Sequence, residues 1–178
     1  VPLGVKTIQL RLKEVSQDEI KRQIKQGIVL CARHDCTFIV NDYWREAIDL
    51  GANFIHLGQE DLAKADLAAI RKAGLKLGIS THSHQELDIA LAVNPDYVAL
   101  GPVWETKLKK MKWHPQGLER LTNWAQKSDV PVVAIGGIIL ERAPAVYETG
   151  AASIAVVTDI IADEAPEQRA KDWLKLTT

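Results

Sequence analysis

With 178 residues, 47% of them hydrophobic and 25% charged, the chain has the composition of an ordinary globular domain able to bury one sizeable core, expected as a single domain over 1–178. A formal net charge of −1 gives no general pull toward nucleic acid or an anionic membrane surface. No apolar run approaches the roughly 20 residues that span a bilayer, and Val1-Pro2-Leu3-Gly4 has neither the basic start nor the apolar core of a signal peptide, so the expected setting is cytoplasmic.

Thr7-Ile8-Gln9-Leu10-Arg11-Leu12-Lys13 alternates apolar and polar, which predicts a strand with Gln9, Arg11 and Lys13 on one face. In a closed barrel that face would have to meet an anion or a carboxylate; on an open sheet it would simply be solvated. Ser16 and Glu19 stand at capping-box spacing and open a predicted helix through about Cys31. Cys31 and Cys36 flank Arg33-His34-Asp35, but no second Cys/His pair completes a zinc set, so they read as reduced thiols at a helix end.

Thr37 to Asp61 carries the strongest chemical signal. Phe38-Ile39-Val40 runs into Asn41-Asp42-Tyr43-Trp44, and Phe54-Ile55-His56-Leu57-Gly58 runs into Gln59-Glu60-Asp61, with a short helix predicted from Trp44 to Gly51 between them. Each strand thus ends in a carboxylate. In a parallel α/β architecture both emerge at one end of the sheet, where such folds put their sites, and two converging aspartates suit Mg²⁺ with a phosphate-bearing substrate. The competing reading makes Asp42 and Asp61 helix N-caps, positions that aspartate also favours.

Leu62 to Ala73 has helical periodicity ending at Gly74, and Lys76 to Thr81 is the next strand. Ser83 and Glu86 again have capping-box spacing, for a helix through about Val93, and Tyr97 to Gly101 is a further strand. Pro102 to Gln116 is long for a strand-to-helix loop and carries Lys107, Lys109, Lys110 and Lys112, either a cationic lid over a phosphate or a solvated charge run. Leu118 to Gln126 is helical. Val130 to Gly137 reads as a buried strand whose Gly136-Gly137 allows close backbone approach to a phosphate, or equally a tight turn. A helix from Glu141 to Thr149, a strand from Ser153 to Thr158 and an amphipathic helix from Pro166 to Leu176 complete the chain. Strands alternating with helices predict a parallel α/β fold, best a TIM (β/α)8-type barrel with seven βα units visible and the first unit missing.

Gln9-Leu-Arg-Leu-Lys13, Ile39-Val-Asn-Asp42, His56-Leu-Gly-Gln-Glu-Asp61, Gly78-Ile-Ser-Thr81, Thr106 with Lys109, Ala134-Ile-Gly-Gly137 and Ala155-Val-Val157 together resemble, in order and spacing, the thiamine phosphate synthase family, its gamma-proteobacterial members most closely. The resemblance implies a transferase that joins hydroxymethylpyrimidine diphosphate to hydroxyethylthiazole phosphate, with Mg²⁺, through pyrophosphate loss to a pyrimidine carbocation. It implies Asp42 and Asp61 as metal ligands and Gln9, Arg11, Lys13, Asn41, Ser80 and Lys109 around the pyrimidine diphosphate, with Arg11, Ser80 and Lys109 catalytic. It also implies Thr106, Gly136, Gly137, Val157 and Thr158 around the thiazole phosphate. The chain departs from the family pattern at Leu108, where a threonine is usual, and at Thr158, where serine is usual. Two other readings compete: a catalytically silent barrel fragment that binds phosphorylated ligands, and a thiazole tautomerase relative, against which the retained aspartates argue. The expected partners are these small molecules, with self-association through the unpaired edges of an open barrel.

Overall fold

Alternating apolar and polar residues give the first strand, β1 (Thr7–Leu10), and the apolar run Phe38-Ile39-Val40 gives β2 (Thr37–Asn41), which pairs with it in parallel from Thr7↔Thr37 to Leu10↔Val40. The computed structural model describes residues 1–106 and 113–176. The chain divides into two compact units, Val1–Ile79 and Ser80–Thr178.

In the first unit β2 pairs with β3 (Phe54–Leu57), and β3 with β4 (Lys76–Thr81), all parallel and in chain order. The last two residues of β4 belong to the second unit. Phe38, Ile39, Val40, Ile55, Leu57, Leu77 and Ile79 are buried and form the core of this sheet. Helix α1 (Gln17–Ala32) returns the chain from β1 to β2 and buries Ile20 and Ile24, one turn apart on one face. Gly27 on the same helix allows close contact: a Cβ there would lie 2.2 Å from the Phe38 ring. Ser16 caps α1 by accepting from the Glu19 N–H at 3.3 Å, as its spacing predicts.

The C-terminus of α1 closes in a Schellman-type turn, with Asp35 at φ +49° and the Cys36 N–H donating to the Cys31 carbonyl at 3.1 Å. This geometry sets the two thiols side by side, both free, Cys31 buried and Cys36 half-buried. Burial first, then the hydrogen bond with Cys36, push the Cys31 thiol up to about 11. At pH 8 only about one Cys31 in a thousand is then a thiolate, the reactive form. A disulfide reagent is therefore expected to titrate one thiol, Cys36, in the native protein and the second only after denaturation; two equally fast thiols would contradict this arrangement.

Three spans in this unit bear on the sequence expectation. β1 ends at Leu10 rather than Lys13: its last pairing is Leu10↔Val40, and β2 itself ends one residue later at Asn41. The predicted helix over Leu62–Ala73 is two, α3 (Gln59–Leu62) and α4 (Leu67–Lys72), since Asp66 accepts from the Ala69 N–H at 2.9 Å and starts a new helix. Between β2 and β3, α2 (Trp44–Asp49) is short, as expected.

The second unit holds β5 (Tyr97–Leu100), β6 (Val132–Ile135) and β7 (Ser153–Ala155), parallel and in chain order. Helix α5 (His84–Ala92) leads into β5, and α6 (Gly117–Lys127) connects β5 to β6 and buries Leu121 and Trp124 at i and i+3. Ser83 caps α5 through the Glu86 N–H, while the Glu86 carboxylate reaches back to the His82 N–H at 2.7 Å. Thr81, with no exposed surface, donates to the Ala99 carbonyl and accepts from the Trp124 indole N–H, each at 3.0 Å. Thr81→Val is expected to leave both partners buried and unsatisfied at a cost of about 2 kcal/mol, read as a lower urea midpoint; an unchanged midpoint would show that neither bond matters.

The predicted helix over Glu141–Thr149 begins as a 3-10 turn at Leu140–Arg142 and continues as α7 (Ala143–Tyr147). β7 stops before Val157, because Thr158 already opens α8 (Thr158–Ile161), whose Ile161 N–H donates to the Val157 carbonyl. Helix α9 (Pro166–Lys175) follows, with Pro at its first position and Trp173 buried. β6 is likewise shorter than its apolar run, Gly136 and Gly137 leaving it at φ +94° and +68°.

Candidate active site

Past the ends of β2 and β3 the first unit gathers charge. Asp42 takes φ +69°, a left-handed conformation that Asp adopts more readily than most residues. It is held there by its N–H donating to the His56 carbonyl at 2.9 Å and its carbonyl accepting from the Trp44 N–H at 2.8 Å. Its carboxylate accepts from the Lys13 ammonium, and α2 is preceded by Tyr43, which makes no side-chain cap. Asp61 lies inside α3, while Asp66 caps α4. The N-cap reading therefore fails for both aspartates.

Instead they face each other. Burial first, then the charge and hydrogen bond of Asp42, hold the Asp61 carboxyl above its ordinary range, against the opposing pull of Lys13 and Lys64. The Lys13 ammonium meets Asp42 Oδ2 at 2.5 Å. Tyr43 explains how Lys13 arrives although β1 has ended: its hydroxyl donates to the Leu12 carbonyl at 3.1 Å, tying the segment after β1 to the one after β2. Sequence alone did not single out this tyrosine, and its place directly after Asp42 is the only signal. Asp42, Tyr43, Trp44, Arg45, Glu46, Asp61 and Lys64 line a cavity of about 280 Å³.

Among the described residues no three His, Cys, Asp or Glu side chains converge into a metal cage. Two carboxylates repelling each other beside an open cavity nevertheless form a donor set that fits Mg²⁺, which commonly takes one or two carboxylates and completes its shell with water and substrate phosphate. Of the other expected residues, Asn41 is buried at the end of β2, Gln9 is exposed in β1, and Arg11 is exposed without an ion pair among the described residues.

His56 sits beneath this pair on β3, 5% exposed. Burial pushes its imidazole down to about 4, only partly countered by the charge of Asp42. Above the unfolded value of 6.5 the residue is neutral in both states and costs nothing. As pH falls from 6.5 toward 4 the unfolded chain takes up the proton and the folded one does not, so stability is lost, by about 3 kcal/mol at pH 4. Urea midpoints of the wild type and His56→Gln compared at pH 7 and pH 4 are expected to diverge accordingly; parallel losses would show that His56 titrates normally.

In the second unit Gly136 and Gly137 follow β6. A Cβ at Gly136 would lie 2.7 Å from Pro102 Cα, and one at Gly137 2.5 Å from the Glu105 carbonyl, so only glycine fits at either position. The Trp104 N–H donates to the Gly136 carbonyl at 3.0 Å, joining the glycine turn to the segment that leads to Thr106, which is half-buried. Val157 and Thr158 lie exposed at the start of α8, and Asp159 next to them accepts from the Leu140 N–H at 3.2 Å. Ser80 lies half-buried near the end of β4. Lys109 and Leu108, with the rest of 107–112, lie outside the described residues.

Parallel strands alternating with helices define the α/β class, whose enzymes place their sites past the carboxyl ends of the strands. The structure of a thiamine phosphate pyrophosphorylase from Pyrococcus furiosus matches with a TM-score of 0.87 at 30% identity, over 98% of this chain and 84% of that one. This makes the fold TIM-like α/β. A 3-hexulose-6-phosphate synthase structure, 18% identical with a TM-score of 0.66, shares that fold. A family profile described as thiamine monophosphate synthase matches residues 1–160. The thiamine-phosphate synthase of Rhizobium etli is 59% identical over 99% of this chain and 87% of its own length, and that of Salmonella agona 49% identical over 98% and 80%. The chain belongs to the thiamine monophosphate synthase family.

Proposed function

We propose that the chain is a thiamine phosphate synthase: it joins the methylene carbon of 4-amino-5-hydroxymethyl-2-methylpyrimidine diphosphate to the ring nitrogen of hydroxyethylthiazole phosphate and releases pyrophosphate. The supporting observation is the Asp42–Asp61 carboxylate pair with Lys13, in a chain that is 59% identical to a protein of that name. The carbon–oxygen bond to the diphosphate breaks with its electron pair going to the leaving group, and the thiazole nitrogen supplies the pair for the new carbon–nitrogen bond.

Departure of a diphosphate demands charge stabilisation on the leaving oxygens. Lys13 and Arg11 supply cations to it, with Lys109, and Asp42 and Asp61 hold Mg²⁺, which neutralises further charge on the leaving group when bound. Asn41 and Gln9 orient the pyrimidine diphosphate, and Ser80 contacts the reacting groups. In the second unit Thr106, Gly136, Gly137, Val157 and Thr158 bind the thiazole phosphate, the glycines by admitting the phosphate close to the backbone. The two free thiols are in keeping with a cytoplasmic setting, and among the described residues no helix is long and apolar enough to cross a membrane. Self-association is part of the proposal, and a monomeric mass in concentrated solution would remove it.

Pyrophosphate release by the purified chain, given both substrates with and without Mg²⁺, tests the reaction. Release that requires both substrates and the metal is the expected result. A folded protein that releases none would overturn the assignment.

A further inference from the structure

Arg142 bridges the two backbone segments that form the glycine turn. Its Nη1 donates to the Gly137 carbonyl at 2.6 Å, and its guanidinium lies 4.8 Å from the centre of the Trp104 ring. Trp104 is the residue whose side chain would stand 2.8 Å from a Cβ on Gly137, and whose N–H holds the Gly136 carbonyl. Both glycines have positive φ, so the turn has few intrinsic conformational limits and its shape depends on what its carbonyls are fastened to. Those fastenings are the Trp104 N–H for Gly136 and the Arg142 guanidinium for Gly137. A planar guanidinium can serve both as a hydrogen-bond donor and as a face stacked on an aromatic ring; an ammonium on a flexible stem cannot reproduce the pair of contacts.

We infer that Arg142 is a positioning residue for a phosphate monoester at Gly136-Gly137, fixing the glycine peptides so that their geometry is set before the ligand arrives. The inference rests on the assignment of this turn to the thiazole phosphate. Arg142 acts through the turn, and its charge also raises the local potential for a dianion. Because the contact is preorganisation of one ligand's site, losing it weakens that ligand and leaves the pyrimidine diphosphate, to which no residue of this turn is assigned, unaffected.

Two variants test this. Arg142→Met keeps much of the aliphatic stem over Trp104 but removes the donor and the charge; Arg142→Lys keeps the charge and loses the fork. Calorimetric titration of hydroxyethylthiazole phosphate into each protein, with no second substrate, reads the site without turnover. The dissociation constant is expected to rise at least tenfold in Arg142→Met and several-fold in Arg142→Lys, with thermal midpoints within a few degrees of wild type. In steady state the KM for the thiazole phosphate rises while the KM for the pyrimidine diphosphate stays within twofold. Equal affinities in all three proteins, or equal rises in both KM values, would overturn the positioning role. Wild-type protein that binds the thiazole phosphate but releases no pyrophosphate would instead overturn the proposed reaction and leave the binding comparison decisive for Arg142.

Discussion

Asp42→Ala is expected to lower pyrophosphate release by on the order of 10³-fold, the range seen when a preorganised charge-stabilising group is removed from a reacting centre. The reasoning starts from the backbone. Asp42 holds a positive φ through two backbone hydrogen bonds that do not involve its side chain. Alanine therefore loses the carboxylate and some conformational preference, but the turn keeps its ties to His56 and Trp44. The variant should fold, with a melting temperature only a few degrees lower. Lys13 loses its partner, and Asp61 keeps the burial that holds its carboxyl up but loses the neighbour that adds to it. Asp61→Ala is expected to fall less, about 10²-fold, and part of its loss should return at high Mg²⁺, because Asp42 with substrate phosphate still offers oxygen ligands. Pyrophosphate release measured across a Mg²⁺ series separates the two variants. Activity of Asp42→Ala within threefold of wild type at all Mg²⁺ concentrations would mean that the carboxylate pair is not the metal site.

The same residues show what a sequence discloses and what it withholds. Asp42 and Asp61 were legible because each follows an apolar strand run, and parallel strands bring their ends together whatever their separation along the chain. Helix starts at Ser16 and Ser83 were legible because capping is a local interaction of three residues. Strand ends were not. Thr7–Lys13 alternates for seven residues, yet β1 lasts four, since pairing depends on where β2 ends. The apolar run of β6 continues into a glycine turn, and that of β7 gives way to α8, for similar non-local reasons. The tyrosine that draws Lys13 to Asp42, the buried hydroxyl of Thr81 between Ala99 and Trp124, and the grip of Arg142 on Gly137 all join residues distant in sequence or involve side chains with no motif. Hydrogen bonds of that kind leave no periodicity to read.

Asp159→Ala is expected to be the most destabilising single substitution in the second unit outside its apolar core, at about 3 kcal/mol. Its carboxylate, 10% exposed, accepts from the Arg169 guanidinium through both oxygens at 2.9 Å, from the Trp173 indole at 2.7 Å and from the Leu140 N–H at 3.2 Å. Burial works to raise its pKa, but the hydrogen bonds from Arg169 and Trp173 prevail and hold it below the ordinary carboxylate range. Alanine would strand the half-buried donors at once. Arg169 retains Glu141, whose carboxylate is 63% exposed and so a weak substitute. Asp159→Asn keeps an acceptor for Trp173 or Leu140 and is expected to cost about 1 kcal/mol, the charge-assisted part of the bond to Arg169. Urea denaturation of the two variants should therefore rank alanine well below asparagine, and equal losses would show that the charge, not the network, is what counts. The effect reaches function because Asp159 adjoins Thr158 and ties the start of α8 to the turn that follows Gly136-Gly137. The alanine variant cuts that tie, and Val157 and Thr158 lose their fixed place relative to the glycines, so below its melting temperature it should show a raised KM for the thiazole phosphate, and the asparagine variant a smaller rise.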